Sequence, residues 1–267
     1  MPGFLLVNPN SGVGDGVEVG DLLAEARRRG VTARVLEPGD DAAALASEAP
    51  AGPVGVAGGD GSLAPVADVA VARELPFVCV PFGTRNHFAR DVGLNRDDPL
   101  AALAAFDGVE RRIDVGRAGE RLFLNNVSLG VYASLVHRRE HHRRRRDALA
   151  LGRALALTAR HRHRLRASVD GSPLDARIIL VANNHYTLDL LSLGDREQLD
   201  DGLLHLYAAG GLLPRTWKER TAPEFALDIE GGRVAAAFDG EPVELETPIR
   251  FRIEPRALRV LLPPPGA

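Results

Sequence analysis

A strict alternation of strand-like and helix-like runs over residues 1–112 constrains the fold more than any other feature of this sequence. "GFLLV", "VTARVLE", "GPVGVAG" and "PFVCVPF" are short apolar runs bounded by turn residues, and they read as strands. Between them, "VEVGDLLAEARRRG" places Val19, Leu22, Leu23 and Ala26 at helical spacing, with Gly30 as a stop signal. "DDAAALASEA", "SLAPVADVAVARE" and "DPLAALAAFDG" supply further helices, and "GTRNHFARDVGL" reads as a loop entering a short one. Parallel strands need long crossovers, and helices supply them while covering both faces of the sheet. The expected first domain, residues 1–112, is therefore a parallel α/β layer structure.

Beyond residue 112 the pattern changes to short alternating runs split by turns, among them "RLFLNNVSLG", "SPLDARIILVANN", "GLLHLYAAGG", "EFALDIEGG", "EPVELET" and "IRFRIEP". These predict an antiparallel, β-rich sandwich over residues 113–267, interrupted by one long helical stretch from Tyr132 to His161. The last strand is expected to be able to pack back on the first domain. The overall expectation is an α/β protein with a β-rich second domain.

Several function classes are excluded early. Cys79 is the only cysteine, so neither an internal disulfide nor a multi-cysteine zinc site can form, and a cytoplasmic location is expected. Lys218 is the only lysine and follows Trp217, so no Walker A loop is present. The start "MPGFLLVNPNSG" lacks the basic region of a signal peptide, and no apolar run approaches the roughly 20 residues needed to span a bilayer. The net charge of −3 gives no general reason to expect nucleic acid.

Three strand-to-helix loops carry chemistry: Asn8-Pro9-Asn10-Ser11-Gly12, Gly58-Gly59-Asp60-Gly61-Ser62 and Gly83-Thr84-Arg85-Asn86. Singly, each is an ordinary turn sequence. Together they fall at the carboxyl ends of parallel strands, where α/β proteins bind ligands and helix N-termini favour anions. They offer amides, hydroxyls and backbone N–H groups, an anion-binding set without a lysine. The dinucleotide fingerprint G-x-G-x-x-G is absent, which argues against a Rossmann oxidoreductase.

These loops, "NPNSG", "GGDGS" and "PFGTRNHFAR", resemble those of the diacylglycerol kinase catalytic-domain family, which includes bacterial lipid kinases and sphingosine kinases. The resemblance continues through "LDDGLLHL", "FDGEPVELE" and "ALRVLLP" and so covers nearly the whole chain in order. It implies an N-terminal domain like that of NAD kinases, a β-rich C-terminal domain, and ATP with Mg²⁺ in the cleft between them. It also implies transfer of the γ-phosphoryl group to a lipid hydroxyl. Asn8, Pro9, Asn10, Ser11, Gly12, Gly58, Gly59, Gly61, Ser62, Thr84 and Asn86 would cradle the nucleotide.

An aspartate between phosphate-binding glycines is sensible if a hard divalent ion lies between the like charges. Asp60 is then a direct or water-mediated Mg²⁺ ligand serving catalysis. The alternative is a carboxylate that accepts backbone N–H groups and shapes the turn. The glutamate of "DGE", Glu241, is the candidate base by resemblance, while Asp239-Gly240 is also a strong hairpin signal. The resemblance further implies a second Mg²⁺ held by Asp201 with main-chain oxygens of Gln198 and Leu203; the alternative is a solvated surface turn.

Two departures stand out. The third loop in the family usually reads G-T-x-N-D-F-A, whereas here His87 replaces the aspartate. His87 would pair with an anion, or else cap its helix. The family's threonine and Asn-Glu pair after "GGDG" become Ser62-Leu63-Ala64-Pro65, which keeps only the hydroxyl.

The stretch from His137 to Arg166 holds eleven arginines against one glutamate and one aspartate, a formal charge of +9. A solvated helix pair is the plain reading. Docking on an anionic membrane surface through Arg138–Arg166 is the functional one, worth about 1 kcal/mol per arginine near the surface. Nucleic acid ranks below it and is not expected, because the aromatic residues that stack on single strands are missing.

The combined expectation is an ATP- and Mg²⁺-dependent lipid kinase acting on a diacylglycerol-like acceptor, with Val127, Leu129, Val131 and Leu135 lining a lipid crevice or belonging to the core. A homodimer could form through a free sheet edge. The competing readings are a nucleotide-binding regulatory protein without catalysis and a kinase of a non-lipid hydroxyl.

Overall fold

The computed structural model describes residues 2–11, 16–83, 86–130, 164–186, 196–209 and 217–264, apart from the side chain of Trp217. Gly12, Thr84, Val131, Leu135, most of the arginine-rich stretch and the helix expected over Tyr132 to His161 lie outside the described residues. The chain divides into two compact units. The first comprises Met1–Val115, Leu199–Asp201 and Glu254–Ala267; the second comprises Gly116–Gln198 and Gly202–Ile253.

In the first unit, β1 (Phe4–Val7), α1 (Val19–Arg28), β2 (Thr32–Val35), α2 (Ala42–Ser47), β3 (Val54–Gly58), α3 (Asp60–Ala72) and β4 (Phe77–Pro81) alternate as the sequence predicts. The short helices α4 (His87–Asp91) and α5 (Pro99–Ala102) lead into β5 (Val109–Ala118). The strands are parallel in the order β2-β1-β3-β4. Alternate residues face opposite layers, as pleating requires. Leu5, Val7, Ala57, Val78 and Val80 share one core with Leu22 and Ala26 of α1 and with Ala102 of α5. Leu6 and Val56 point the other way, toward the layer that holds α3, whose Leu63, Val66, Ala67 and Ala70 are buried. Two-sided burial explains why β3 and β4 read as continuous apolar runs.

The second unit is a β-sandwich. One sheet contains β7 (Asn126–Gly130), β10 (Ile178–Asn183), β11 (Leu204–Ala209), β12 (Trp217–Ala222), β14 (Arg233–Phe238) and β15 (Glu241–Glu246), ordered β12-β11-β10-β7-β14-β15 and antiparallel throughout. The other joins β8 (Leu165–Val169), β9 (Ser172–Ala176), β13 (Glu224–Ile229) and the first part of β16 (Ile249–Leu262). β6 (Arg121–Phe123) pairs with the end of β5. Val127, Leu129, Val181, Leu206, Phe225, Leu227 and Phe251 fill the space between the sheets. Phe123 sits edge-on to both Phe238 and Phe251, with ring centroids 6.4 Å apart in each pair. Val127 and Leu129 are fully buried there, so they are core residues and line no open crevice.

Three local readings need correction. "RLFLNNVSLG" is two strands, β6 and β7, because Leu124 and Asn125 are drawn out of the ladder by a side chain described below. "SPLDARIILVANN" breaks at Arg177, where the chain leaves one sheet for the other. "IRFRIEP" and "ALRVLLP" are one 14-residue strand, β16, bent at Arg256 with φ 52°. The later part of β16 runs parallel to β4, with Val260 opposite Phe77, so the C-terminal segment belongs to the first unit.

Candidate functional site

In the order β2-β1-β3-β4 the chain progresses in one direction from β1 and in the other from β3. The loops after β1 and β3 therefore flank the point where strand order reverses, where ligands bind in such sheets. A side-chain hydrogen bond ties the two together: Asn8 Nδ2 donates to Ser62 Oγ at 2.9 Å. The Asn8 Oδ1 accepts the Asn10 amide at 3.0 Å, and the Asn8 carbonyl accepts the Ser11 amide at 3.2 Å. Asn8 thus shapes its own turn around Pro9 while reaching across to α3.

Gly59 is the N-cap of α3, and Asp60, Gly61 and Ser62 form its first turn. The first amides of a helix lack intrahelical acceptors and face a partial positive charge toward any anion. The third loop closes on the second. A Cβ at Gly83 would lie 2.5 Å from Gly59 Cα, so only glycine lets the two backbones meet. A Cβ at Gly58 would strike Ser62.

Asp60 completes the link. Its Oδ2 accepts the His87 amide at 3.1 Å, and its Oδ1 accepts the Phe88 amide at 3.0 Å. The carboxylate therefore caps α4, a helix whose own N-cap, Asn86, makes no side-chain cap bond. Backbone N–H groups are indeed the partners of Asp60, and they come from another loop 27 and 28 residues away. Its charge adds to burial in pushing the Cys79 thiol above its ordinary range, burial being the larger cause, so Cys79 is an inert core thiol.

Asn86 is buried and left-handed, with φ 49°. Its Nδ2 donates to the Gly83 carbonyl at 2.9 Å, while its Oδ1 has no hydrogen-bond partner among the described residues. A buried acceptor without a donor costs about 1–3 kcal/mol, which a ligand N–H or O–H could recover.

Glu241 opens β15 and is exposed. It faces Phe238 across a two-residue turn, Asp239 at φ 48° and Gly240 at φ 89°, the left-handed pair of a tight hairpin. Asp239 is buried, and its carboxylate accepts three amides: Leu124 at 2.8 Å, Asn125 at 2.7 Å and Asn126 at 3.0 Å.

Of the residues expected to hold a second ion, Asp201 falls in the first unit, while Gln198 and Leu203 fall in the second. The Leu203 carbonyl accepts the Asn184 amide at 3.2 Å, and neighbouring Asp200 pairs with Arg256 at 3.5 Å. Among the described residues no group of three or more His, Cys, Asp or Glu is placed to hold a metal ion. No helix among them is long and apolar enough to cross a membrane.

A family model described as the diacylglycerol kinase catalytic domain matches residues 2–118. A probable YegS-like lipid kinase of Pseudomonas fluorescens is 30% identical over 247 residues, covering 77% of this chain and 76% of that protein. The chain belongs to the diacylglycerol kinase catalytic-domain family. Another relative, a diacylglycerol kinase of Mycobacterium tuberculosis, is 31% identical over 219 residues, covering 74% of this chain and 66% of that protein. The fold of a diacylglycerol kinase from Bacillus anthracis superposes with a TM-score of 0.69 at 17% identity, covering 98% of this chain and 96% of the other. In this lipid kinase family member, the residues that sequence reasoning passed over are Asn125, Asn183, Asn184 and Arg196, all buried in the second unit. Two Asn-Asn pairs interrupting apolar runs, in "LFLNNVSLG" and "ILVANNH", were the available signal.

Proposed function

We propose that the protein is an ATP-dependent lipid kinase that transfers the γ-phosphoryl group to the hydroxyl of a diacylglycerol-like lipid. One observation carries this reading. Three loops at the strand-order reversal are joined by Asn8–Ser62, by Asp60 to the His87 and Phe88 amides, and by Gly83 against Gly59. Such a surface suits polyphosphate: it offers backbone amides, hydroxyls and a helix N-terminus.

Asn8, Asn10, Ser11, Gly59, Gly61 and Ser62 are assigned to the nucleotide, and Asn86 Oδ1 to a donor on it. Phosphoryl transfer is mostly positioning and charge neutralisation. Mg²⁺ normally keeps several waters and binds through one or two carboxylates plus substrate phosphates, and it would supply that neutralisation here. A lone carboxylate fits this mode. Each Asp60 oxygen accepts one amide and retains a lone pair, so Asp60 can hold such an ion directly or through water while still capping α4. Glu241 is assigned as the base that takes the acceptor hydroxyl proton. The cationic stretch His137 to Arg166 is assigned to anionic lipid headgroups.

The test is ADP release from Mg²⁺ATP with diacylglycerol, ceramide, sphingoid base, phosphatidylglycerol, NAD or no acceptor. Turnover on a lipid that falls steeply to a measurable residual rate in Glu241→Gln, with nucleotide binding intact, supports the kinase. ATP binding without turnover on any acceptor points instead to a regulatory nucleotide-binding protein. Vesicle co-sedimentation that rises with anionic lipid and falls with salt supports the docking role, and equal binding to neutral vesicles removes it.

A further inference from the structure

The three-residue segment Leu124–Asn126, which runs from the end of β6 into the first residue of β7, has every backbone polar group engaged. Its three N–H groups all point at the Asp239 carboxylate, at 2.8, 2.7 and 3.0 Å. Its carbonyls are served from elsewhere. Leu124 O accepts Arg196 Nη1 at 2.7 Å and Asn183 Nδ2 at 3.0 Å; Asn125 O accepts the Asn183 amide at 3.0 Å. Asn126 O accepts the Asp239 amide at 2.9 Å. Arg196 also donates through Nη2 to Asn125 Oδ1 at 2.6 Å and through Nη1 to Asn183 O at 3.1 Å.

An anionic group thus grips the N–H edge of the segment, and a cationic group grips its first carbonyl, Leu124 O, and the Asn125 side-chain oxygen. The peptide dipoles between them are aligned by both, and each bond polarises the next. Arg196 is 3% exposed and lies 5.2 Å from the Tyr186 ring centroid, so its fork is held in one orientation. Asp239 is 9% exposed and sits at a positive φ that its side-chain bonds stabilise. Glu241 follows two residues later.

We propose that Arg196 is a positioning residue for Glu241: through Leu124–Asn126 and Asp239 it fixes the tight turn that aims the glutamate. This rests on the reading of Glu241 as base. The guanidinium holds the segment, the segment's amides hold the Asp239 carboxylate, and the Asp239 backbone sets the first residue of β15. Without Arg196 the buried Leu124 carbonyl and the Asn125 amide oxygen lose a charged donor, and the turn gains freedom.

The test is a double-mutant cycle on the full chain, reading ADP release with diacylglycerol in mixed micelles. Arg196→Met is expected to lower kcat on the order of 100-fold, as small misplacements of reacting groups do, with KM for ATP unchanged. Arg196→Lys, which keeps the charge and loses the fork, should recover part of the loss. In a Glu241→Gln background Arg196→Met should cost nothing more, because the group it positions is already gone. Hydrogen exchange should quicken at residues 124–126 and 239–241 in both Arg196 variants. Equal losses in the two backgrounds, unaltered kcat or unaltered exchange would overturn the proposal. So would loss of folding in both Arg196 variants while Glu241→Gln folds, since Arg196 would then be a core residue only. Wild-type turnover in Glu241→Gln alone, or no turnover on any acceptor, would overturn the base assignment and this proposal together.

Discussion

Asp60 and Asp239 lie in similar Gly-Asp-Gly and Asp-Gly contexts, yet the fold uses them differently. Asp60 has ordinary helical backbone at the start of α3, is half-buried and accepts two amides at the start of a second helix. Helix N-termini favour an acid there before any ligand arrives. Asp239 sits at a left-handed turn, is buried and accepts three amides from one segment. Asp60 thus joins the starts of two helices while half-exposed, whereas Asp239 is enclosed by the one segment it binds. An acid flanked by glycine is chemically ambiguous until its acceptors are known.

The contrast can be broken most forcefully at Asp239. Asp239→Ala leaves three amides without their acceptor and should destabilise the protein by about 3 kcal/mol or more, read as a lower urea midpoint. A loss below about 1 kcal/mol would mean that the segment finds other partners. Gly83→Ala comes next. Its Cβ would meet the Gly59 Cα at 2.5 Å, and forced overpacking of this kind costs about 1–3 kcal/mol. ATP affinity, measured by calorimetry, should fall with it.

Asp60→Asn sharpens the comparison. It retains one carbonyl oxygen for the two amides, so a stability loss of about 1 kcal/mol is expected. If Asp60 also meets the metal, ATP affinity falls only with Mg²⁺ present; an equal fall with and without Mg²⁺ would leave it a structural cap.

The smallest effect lies away from both aspartates. Arg259 donates twice to Glu110, which lowers the Glu110 pKa from its ordinary 4.5, the Arg259 hydrogen bonds being the largest cause. A carboxylate with a depressed folded pKa contributes stability that is fully present above pH 4.5 and is lost as pH falls through the folded value. Glu110→Gln should cost under about 1 kcal/mol at neutral pH, as partly exposed pairs do, and the gap in Tm should close below pH 4.5. A gap that persists in acid would show that the pair acts through packing.

Sequence by itself determined the alternation of the first unit, the three loops at one sheet edge and the family to which they belong. Apolar periodicity and turn residues are local signals, and buried parallel strands amplify them: β3 and β4 read correctly because both of their faces are apolar. Only the tertiary structure decided what those loops touch. The Asp60 amides lie 27 and 28 residues away, and the Asp239 amides 113 to 115 residues away. Separation in the chain also hid Arg196, whose partners Leu124 and Asn125 lie 72 and 71 residues away. Side-chain hydrogen bonds to backbone leave no period in a sequence. The long-range ones exist only where segments distant in the chain meet, and there they decide which backbone amides each acid serves.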